Sequence, residues 1–422
     1  MEVTLKQGRL NSSSLLRLGL NWSAVLFTSF LLAPFSELRT INYSLSGQRT
    51  ISIAMVLFLF VVTIDFFRAL RDIGSKHMLQ KLMPVAYLMG ALALFMLHKI
   101  LFWAVLPYTS PTALYTLGGV TIVMVLSFFS LAKYGENEIL VFVFQYCLVM
   151  ALFLLVVYLS ARLFNFNIVY QGPDIVSLPF PYFFRPYQAA TLGAIVLILG
   201  SGAAISLGRR YILYFIVPVL VLAVAQTGCR SVMWLLTSLW LIMLVYYALN
   251  RNLIPVHTRA SLSHLLLSTI LAAALLALFI DEQSLRAVSF LFSNPLNLLT
   301  ATADAPRHGM WLAALKSYFY GTPFPIIGQG SLHNVYLDIL INGGLVALMF
   351  FVLFIGLMIH SVAKLTKSNK ASLNQPMYMT LLMALLLIVG EFYANPMLSF
   401  PFVWMSFGLI LALLSINRLS KQ

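Results

Sequence analysis

Residues 328–347, GQGSLHNVYLDILINGGLVA, pass from a polar loop into an apolar helix within a few positions. His333 and Asn334 stand at the turn, and an apolar run continues without pause to about Met358. Such a run, at about 1.5 Å per residue, is long enough to cross the roughly 30 Å hydrocarbon layer of a bilayer. A histidine at its mouth faces water on one side and lipid on the other. That is an unusual place for a titratable ring, although interfacial histidines also serve simply to anchor helix ends.

The rest of the chain repeats this pattern. Its 422 residues are 61% hydrophobic and only 9% charged, with a mean hydropathy of +0.93. A soluble core does not need that much apolar surface, and so few charges cannot clothe an exterior. In lipid only helices and closed barrels satisfy the backbone, and the runs here are continuous rather than alternating, which excludes a barrel. The expected fold is an all-α polytopic membrane protein with about twelve transmembrane helices. Spans are expected near 18–36, 51–69, 84–106, 112–132, 138–161, 188–207, 211–227, 230–249, 261–280, 334–360, 376–394 and 397–416. No small-x-small cleavage site follows the first run, so it is expected to stay as a helix. Cys147 and Cys229 lie in or beside apolar segments and offer neither a disulfide framework nor a zinc set.

The net charge of +14 does not point to nucleic acid, because the basic residues are scattered between apolar runs and build no single face. They set orientation instead. With the N-terminus inside, 17 of the 26 Lys and Arg residues fall in inner loops, eight fall outside, and Lys99 is left within the third span. This bias predicts an even number of helices with both ends on the inner side. The chain divides into N-terminal helices (1–209), a central core with its long loop (210–360), and a C-terminal pair of helices (361–422).

Two sizeable outer segments result. Residues 162–187 are rich in aromatics and proline and hold Arg185. Residues 281–333 form the longest hydrophilic stretch, and an amphipathic helix is written inside it. Asp304 and Pro306 give a start signal, Trp311, Ala314, Leu315, Tyr318 and Phe319 recur at helical spacing, and Gly321, Pro323 and Pro325 end it. Gly328 and Gly330 then loosen the backbone just before His333.

Candidate functional residues cluster at the outer side. Arg230 opens the eighth span, where a helix N-terminus and a guanidinium together suit a phosphate or diphosphate; a snorkelling anchor is the plain alternative. His333 and Asn334 open a second outward-facing helix. Arg307, with Trp311 four residues on, starts the loop helix and offers a further cation. Asp338 lies about a turn below His333 and is placed to orient its ring or a water. Glu391, near the outer end of the eleventh span, is another possible partner, and Arg185 is a weaker cationic candidate. No metal-ligand spacing, Walker loop or G-x-S-x-G occurs, so chemistry without metal or cofactor is expected. A transporter would need ionisable residues at mid-membrane, where Lys99 alone qualifies.

These residues resemble a known pattern. His333-Asn334, nine residues and then Gly344 are similar to the His-Asn motif of bacterial O-antigen ligases, in which Gly, Thr or Tyr closes the motif at the position held here by Ala347. Thr227-Gly228-Cys229-Arg230 resembles the arginine-bearing helix start of the O-antigen ligase and polymerase superfamily, and Arg307 to Trp311 resembles the opening of its periplasmic loop helix. The resemblance covers about residues 210–360. It implies a multi-pass enzyme of the bacterial inner membrane with its site facing the periplasm. The donor would be an undecaprenyl-diphosphate-linked glycan. The acceptor would be lipid A–core for a ligase, or a second lipid-linked repeat for a polymerase. By the same resemblance His333 would activate the acceptor hydroxyl and Arg230 and Arg307 would hold the diphosphate. Asn334, Arg185, Asp338, Trp311 and Gly330 would line the substrate.

Overall fold

The computed structural model describes residues 75–105, 123–164, 186–249, 256–279, 305–320, 334–368, 375–395 and 400–419, with a few isolated positions besides. The expected spans at 18–36 and 51–69 lie almost wholly outside the described residues. Continuous apolar sequence gives helices throughout these segments. They are α1 (Ser75–Leu82), α2 (Ala86–Val105), α3 (Val123–Ala132), α4 (Glu136–Phe164), α5 (Pro186–Ser206), α6 (Leu213–Gln226), α7 (Arg230–Leu249), α8 (Val256–Leu278), α9 (Ala305–Tyr320), α10 (Val335–Ser368), α11 (Gln375–Ala394) and α12 (Pro401–Leu419). Among the described residues, seven stretches are long and apolar enough to cross a membrane, in α2 (from Leu79), α4, α5, α7, α8, α10 and α11. Segments Val123–Ala132, Arg210–Gln226 and Phe402–Asn417 are apolar but shorter. The protein is thus a multi-pass helical membrane protein in architecture.

α5 and α11 form the centre. α5 packs against α4, α6, α7 and α11, while α10 bridges α11 to α2, and α8 lies outside α6. Small residues permit this closeness, as they commonly do between membrane helices. A β-carbon on Gly202 of α5 would run into the Thr380 side chain of α11, and one on Gly200 would come 3.0 Å from Cys147 Cβ of α4. A β-carbon on Gly408 of α12 would lie 2.7 Å from the Met124 carbonyl of α3. The main apolar core runs from Val85 to Leu414 through all three sequence divisions, and Trp311 and Ala314 seed a smaller one. The outward faces carry exposed Leu241 and Ile242 on α7, Leu266, Leu267 and Ile270 on α8, and Met349, Val352 and Leu353 on α10, as expected of helices bathed in lipid.

Two expectations require correction. The apolar run beginning at Val335 is not one continuous helix: Gly344 breaks it with φ 74° and ψ 175°, a backbone region open almost only to glycine. A break strands amide groups that need new partners. The Leu345 N–H donates to Tyr318 Oη of α9 at 3.1 Å. The loop helix itself, α9, forms between Ala305 and Tyr320 as its start and stop signals predict. Its buried stripe is narrower than the spacing implied, however. Trp311, Ala314 and Ser317 are buried, whereas Phe319 is 75% exposed.

Candidate functional site at the end of α11

The final turns of α11 gather three other elements. The first is the start of α7. Thr227 and Gly228 (φ 67°) close α6 by donating their N–H groups to the Val224 and Ala225 carbonyls, and Thr227 Oγ1 accepts the Cys229 N–H at 3.2 Å. This tight turn delivers Arg230, exposed, as the first residue of α7. Its neighbour Ser231 reaches into the bundle, where its hydroxyl donates to Glu391 Oε2 at 3.4 Å. Asn395 Nδ2 donates to the same oxygen at 2.6 Å and to Ser231 Oγ at 3.3 Å. Glu391 is fully buried, and its other oxygen, Oε1, has no hydrogen-bond partner among the described residues.

The start of α10 is the second element. Tyr336 Oη donates to the Val389 carbonyl of α11 at 3.1 Å, and its ring meets Phe392 edge-on at 6.4 Å. The third is α9. Trp311 meets Tyr393 of α11 edge-on at 5.4 Å and packs with Ala314 against Leu337 and Ile341 of α10. Beside them the start of α5 is tied in by Tyr187, whose ring meets Phe400 at 5.8 Å.

Arg230, Asn334, Asp338 and Trp311 therefore occupy one end of the bundle. For Asn334 and Trp311 the structure shows a structural part. Asn334 is buried, and its Oδ1 accepts the Leu337 N–H at 3.1 Å, so its side-chain oxygen is the N-cap of α10. Asp338 sits half-buried in the first turn, where a carboxylate complements the positive helix end. Trp311 is only 6% exposed; its ring is a packing surface that docks α9 rather than an open sugar platform. Arg307 lies in the first turn of α9, but its side chain is outside the described residues, as are His333, Arg185 and Gly330 altogether.

The α7 N-terminus is also capped by its own chain. Cys229 Sγ lies 3.5 Å from Ser231 Oγ and within hydrogen-bond reach of the Ser231 and Val232 amides. Burial, reinforced by the Glu391 carboxylate, pushes the Cys229 thiol up to about 12, so at neutral pH the cap is a neutral thiol. The polar ties from Glu391 to Ser231 and Asn395 were not legible in the sequence, where only the outer-end position of Glu391 hinted at a role.

Comparison with known proteins adds no name to this geometry: no protein-family model matches the chain, and no curated protein matches it.

Proposed function

We propose that the protein is an inner-membrane glycosyltransferase that moves a glycan from undecaprenyl diphosphate to a hydroxyl of lipid A–core at the periplasmic face. One observation carries the reading. The last turns of α11 hold the starts of α7 and α10 and the docked helix α9, so Arg230, Asn334 and Trp311 share one end of the bundle, and this shared end supports the reading. In this reading the acceptor oxygen attacks the anomeric carbon and the bond from that carbon to the diphosphate oxygen breaks. The hydroxyl proton passes to His333, and undecaprenyl diphosphate leaves with the bonding pair. Arg230 and Arg307 neutralise the charge developing on the leaving group, and a histidine with ordinary basicity suits the proton transfer near neutral pH. A single displacement inverts the anomeric configuration. Glu391 acts at one remove, through Ser231 and Asn395, by fixing where α7 begins and hence where Arg230 stands.

Polymerisation, with a second lipid-linked repeat as acceptor, uses the same donor chemistry. Ala347, where the sequence departs from the ligase motif, is fully buried in the core beyond the Gly344 break, and that departure keeps polymerisation as the second reading. Purified protein in detergent, given the lipid-linked glycan and each acceptor separately, tests the reading. Product is expected with one acceptor and none from His333→Ala or Arg230→Ala, and Arg230→Lys is expected to be impaired because the two-pronged fork is lost. Wild-type turnover by either alanine variant removes that residue from the mechanism. Failure of the wild type with every acceptor, in a preparation that is folded, overturns the enzyme reading in favour of a transporter.

A further inference from the structure

We propose that the turn joining α5 to α6, with the first turns of α8, seats the phosphate of an anionic phospholipid. This surface lies at the end of the bundle opposite Arg230 and does not depend on the transfer reaction. The turn is a fixed structure: Gly208 adopts φ 68°, and the Leu207 and Arg209 amides close back on the Ala203 and Ala204 carbonyls at 2.9 and 2.8 Å. It presents Arg209 and Arg210 in succession. The Arg210 guanidinium lies over the Tyr211 ring at 5.2 Å, with Nη2 3.4 Å from the Tyr211 hydroxyl. Tyr211 meets His264 of α8 edge-on at 5.3 Å, and His264 Nδ1 pairs with Tyr214 Oη at 2.9 Å. A cation, two phenols and an imidazole are thereby joined in a continuous ladder across two helices, with Arg259 a turn and a half before His264.

The charge of this ladder is uncompensated by its own elements. From Pro186 to Ile280 the sequence holds five arginines and no aspartate or glutamate. Arg209 and Arg210 make no ion pair among the described residues; the partner of Arg210 is Tyr211. The carboxylates of the nearby first turn of α4 are engaged elsewhere, Glu138 with the Gly135 amide at 2.9 Å and Glu136 with the Tyr378 hydroxyl. The surroundings suit a lipid rather than a dissolved anion. Tyr211 is 68% exposed, and Leu266, Leu267 and Ile270 of α8 form an outward apolar track that begins beside His264. A headgroup phosphate on the arginines leaves the acyl chains on that track, which is how basic pockets at helix ends hold acidic lipids.

The test uses the full-length protein in detergent, with lipid retention read by native mass spectrometry in an equal mixture of phosphatidylglycerol and phosphatidylcholine. The wild type is expected to retain phosphatidylglycerol preferentially. The double variant Arg209→Gln/Arg210→Gln is expected to lose that preference by roughly tenfold or more, from the value of two basic residues at an anionic surface. A control double variant at the same end, Lys364→Gln/Lys367→Gln, should keep it. An unchanged melting temperature in phosphatidylcholine alone verifies that the site variant is folded; if it is not, Arg210→Lys, expected to weaken retention only partly, takes its place. Equal retention by site variant and wild type overturns the proposal, as does equal loss in the control, which would mean a diffuse positive surface. Stabilisation by inorganic phosphate equal to that by phosphatidylglycerol would mean a seat for a free anion and overturns the lipid assignment.

Discussion

Substituting Gly344 by alanine tests the link between the broken helix and the docked loop helix. At φ 74° and ψ 175° an L-residue costs on the order of 1–3 kcal/mol, and the chain has two ways to respond. It can keep the break and bear the strain, or straighten α10. Straightening returns the Leu345 amide to its intrahelical carbonyl and takes it from Tyr318, whose 3.1 Å bond is worth roughly 0.5–1.5 kcal/mol net. It also swings Leu337 and Ile341 away from Trp311 and Ala314, which pack against them. In either case stability falls, by about 1–3 kcal/mol. The assay is thermal unfolding of the purified protein in detergent combined with amide hydrogen exchange over α9. A lowered melting temperature with faster exchange in residues 309–320 is expected, and Tyr318→Phe should give a smaller change of the same kind. Unchanged melting together with unchanged α9 protection would refute the idea that the glycine break holds the loop helix in place.

Other outcomes follow from single contacts. Glu391→Ala leaves the Asn395 amide and Ser231 hydroxyl without their acceptor; a destabilisation of about 1–3 kcal/mol per stranded buried group is expected, with transfer lost and Glu391→Gln partly restoring both. A variant as stable as wild type would show that these ties hold nothing. Gly408→Ala puts a carbon 2.6 Å from Ser127 Cβ and 2.7 Å from the Met124 carbonyl. Backbone cannot swing aside, so chemical or thermal unfolding should reveal a loss of about 1–3 kcal/mol. Gly90→Ala, with nothing within 4 Å, should be neutral or slightly stabilising by the same measurement. The Cys229 thiol is raised to about 12, which favours its protonated form. In a Cys147→Ala background its alkylation should therefore be slow at neutral pH and keep climbing well past about pH 9, where an ordinary thiol levels off. A plateau near that pH would contradict the buried, capped placement.

Much of the fold was legible because each apolar run is long enough to be a helix by itself, and because α9 carries its own punctuation, Asp304 before it, Pro306 in its first turn and Gly321 after. The Gly344 break was hidden since membrane helices tolerate glycine, and Ile341-Asn342-Gly343-Gly344 reads as a helix unless the tyrosine that rewards the break is known. Phe319 fell on the expected stripe by spacing alone, whereas the face that is buried, Trp311, Ala314 and Ser317, is chosen by the tertiary packing of α9. At the site, the shared bundle end of Arg230 and Asn334 followed from counting spans. The Glu391–Ser231–Asn395 ties join residues 160 positions apart, a juxtaposition that no local pattern encodes. Sulfur capping by Cys229 escaped notice because cysteine is not a customary capping residue.

α11 is pinned at its far end as well. Gln375 Nε2 donates to Tyr246 Oη at 3.4 Å, Thr366 Oγ1 to the Tyr378 carbonyl at 3.2 Å, and Asn417 Nδ2 to the Tyr378 hydroxyl at 3.2 Å. A twenty-residue helix clamped at both tips behaves as a pushrod of about 30 Å. Axial slip or rotation imposed on one tip has no slack in which to dissipate. Phenylalanine at position 378 would loosen the lower clamp without touching the upper one, and quicker amide exchange at Leu337, on the opposite side of the membrane, would register the transmitted play.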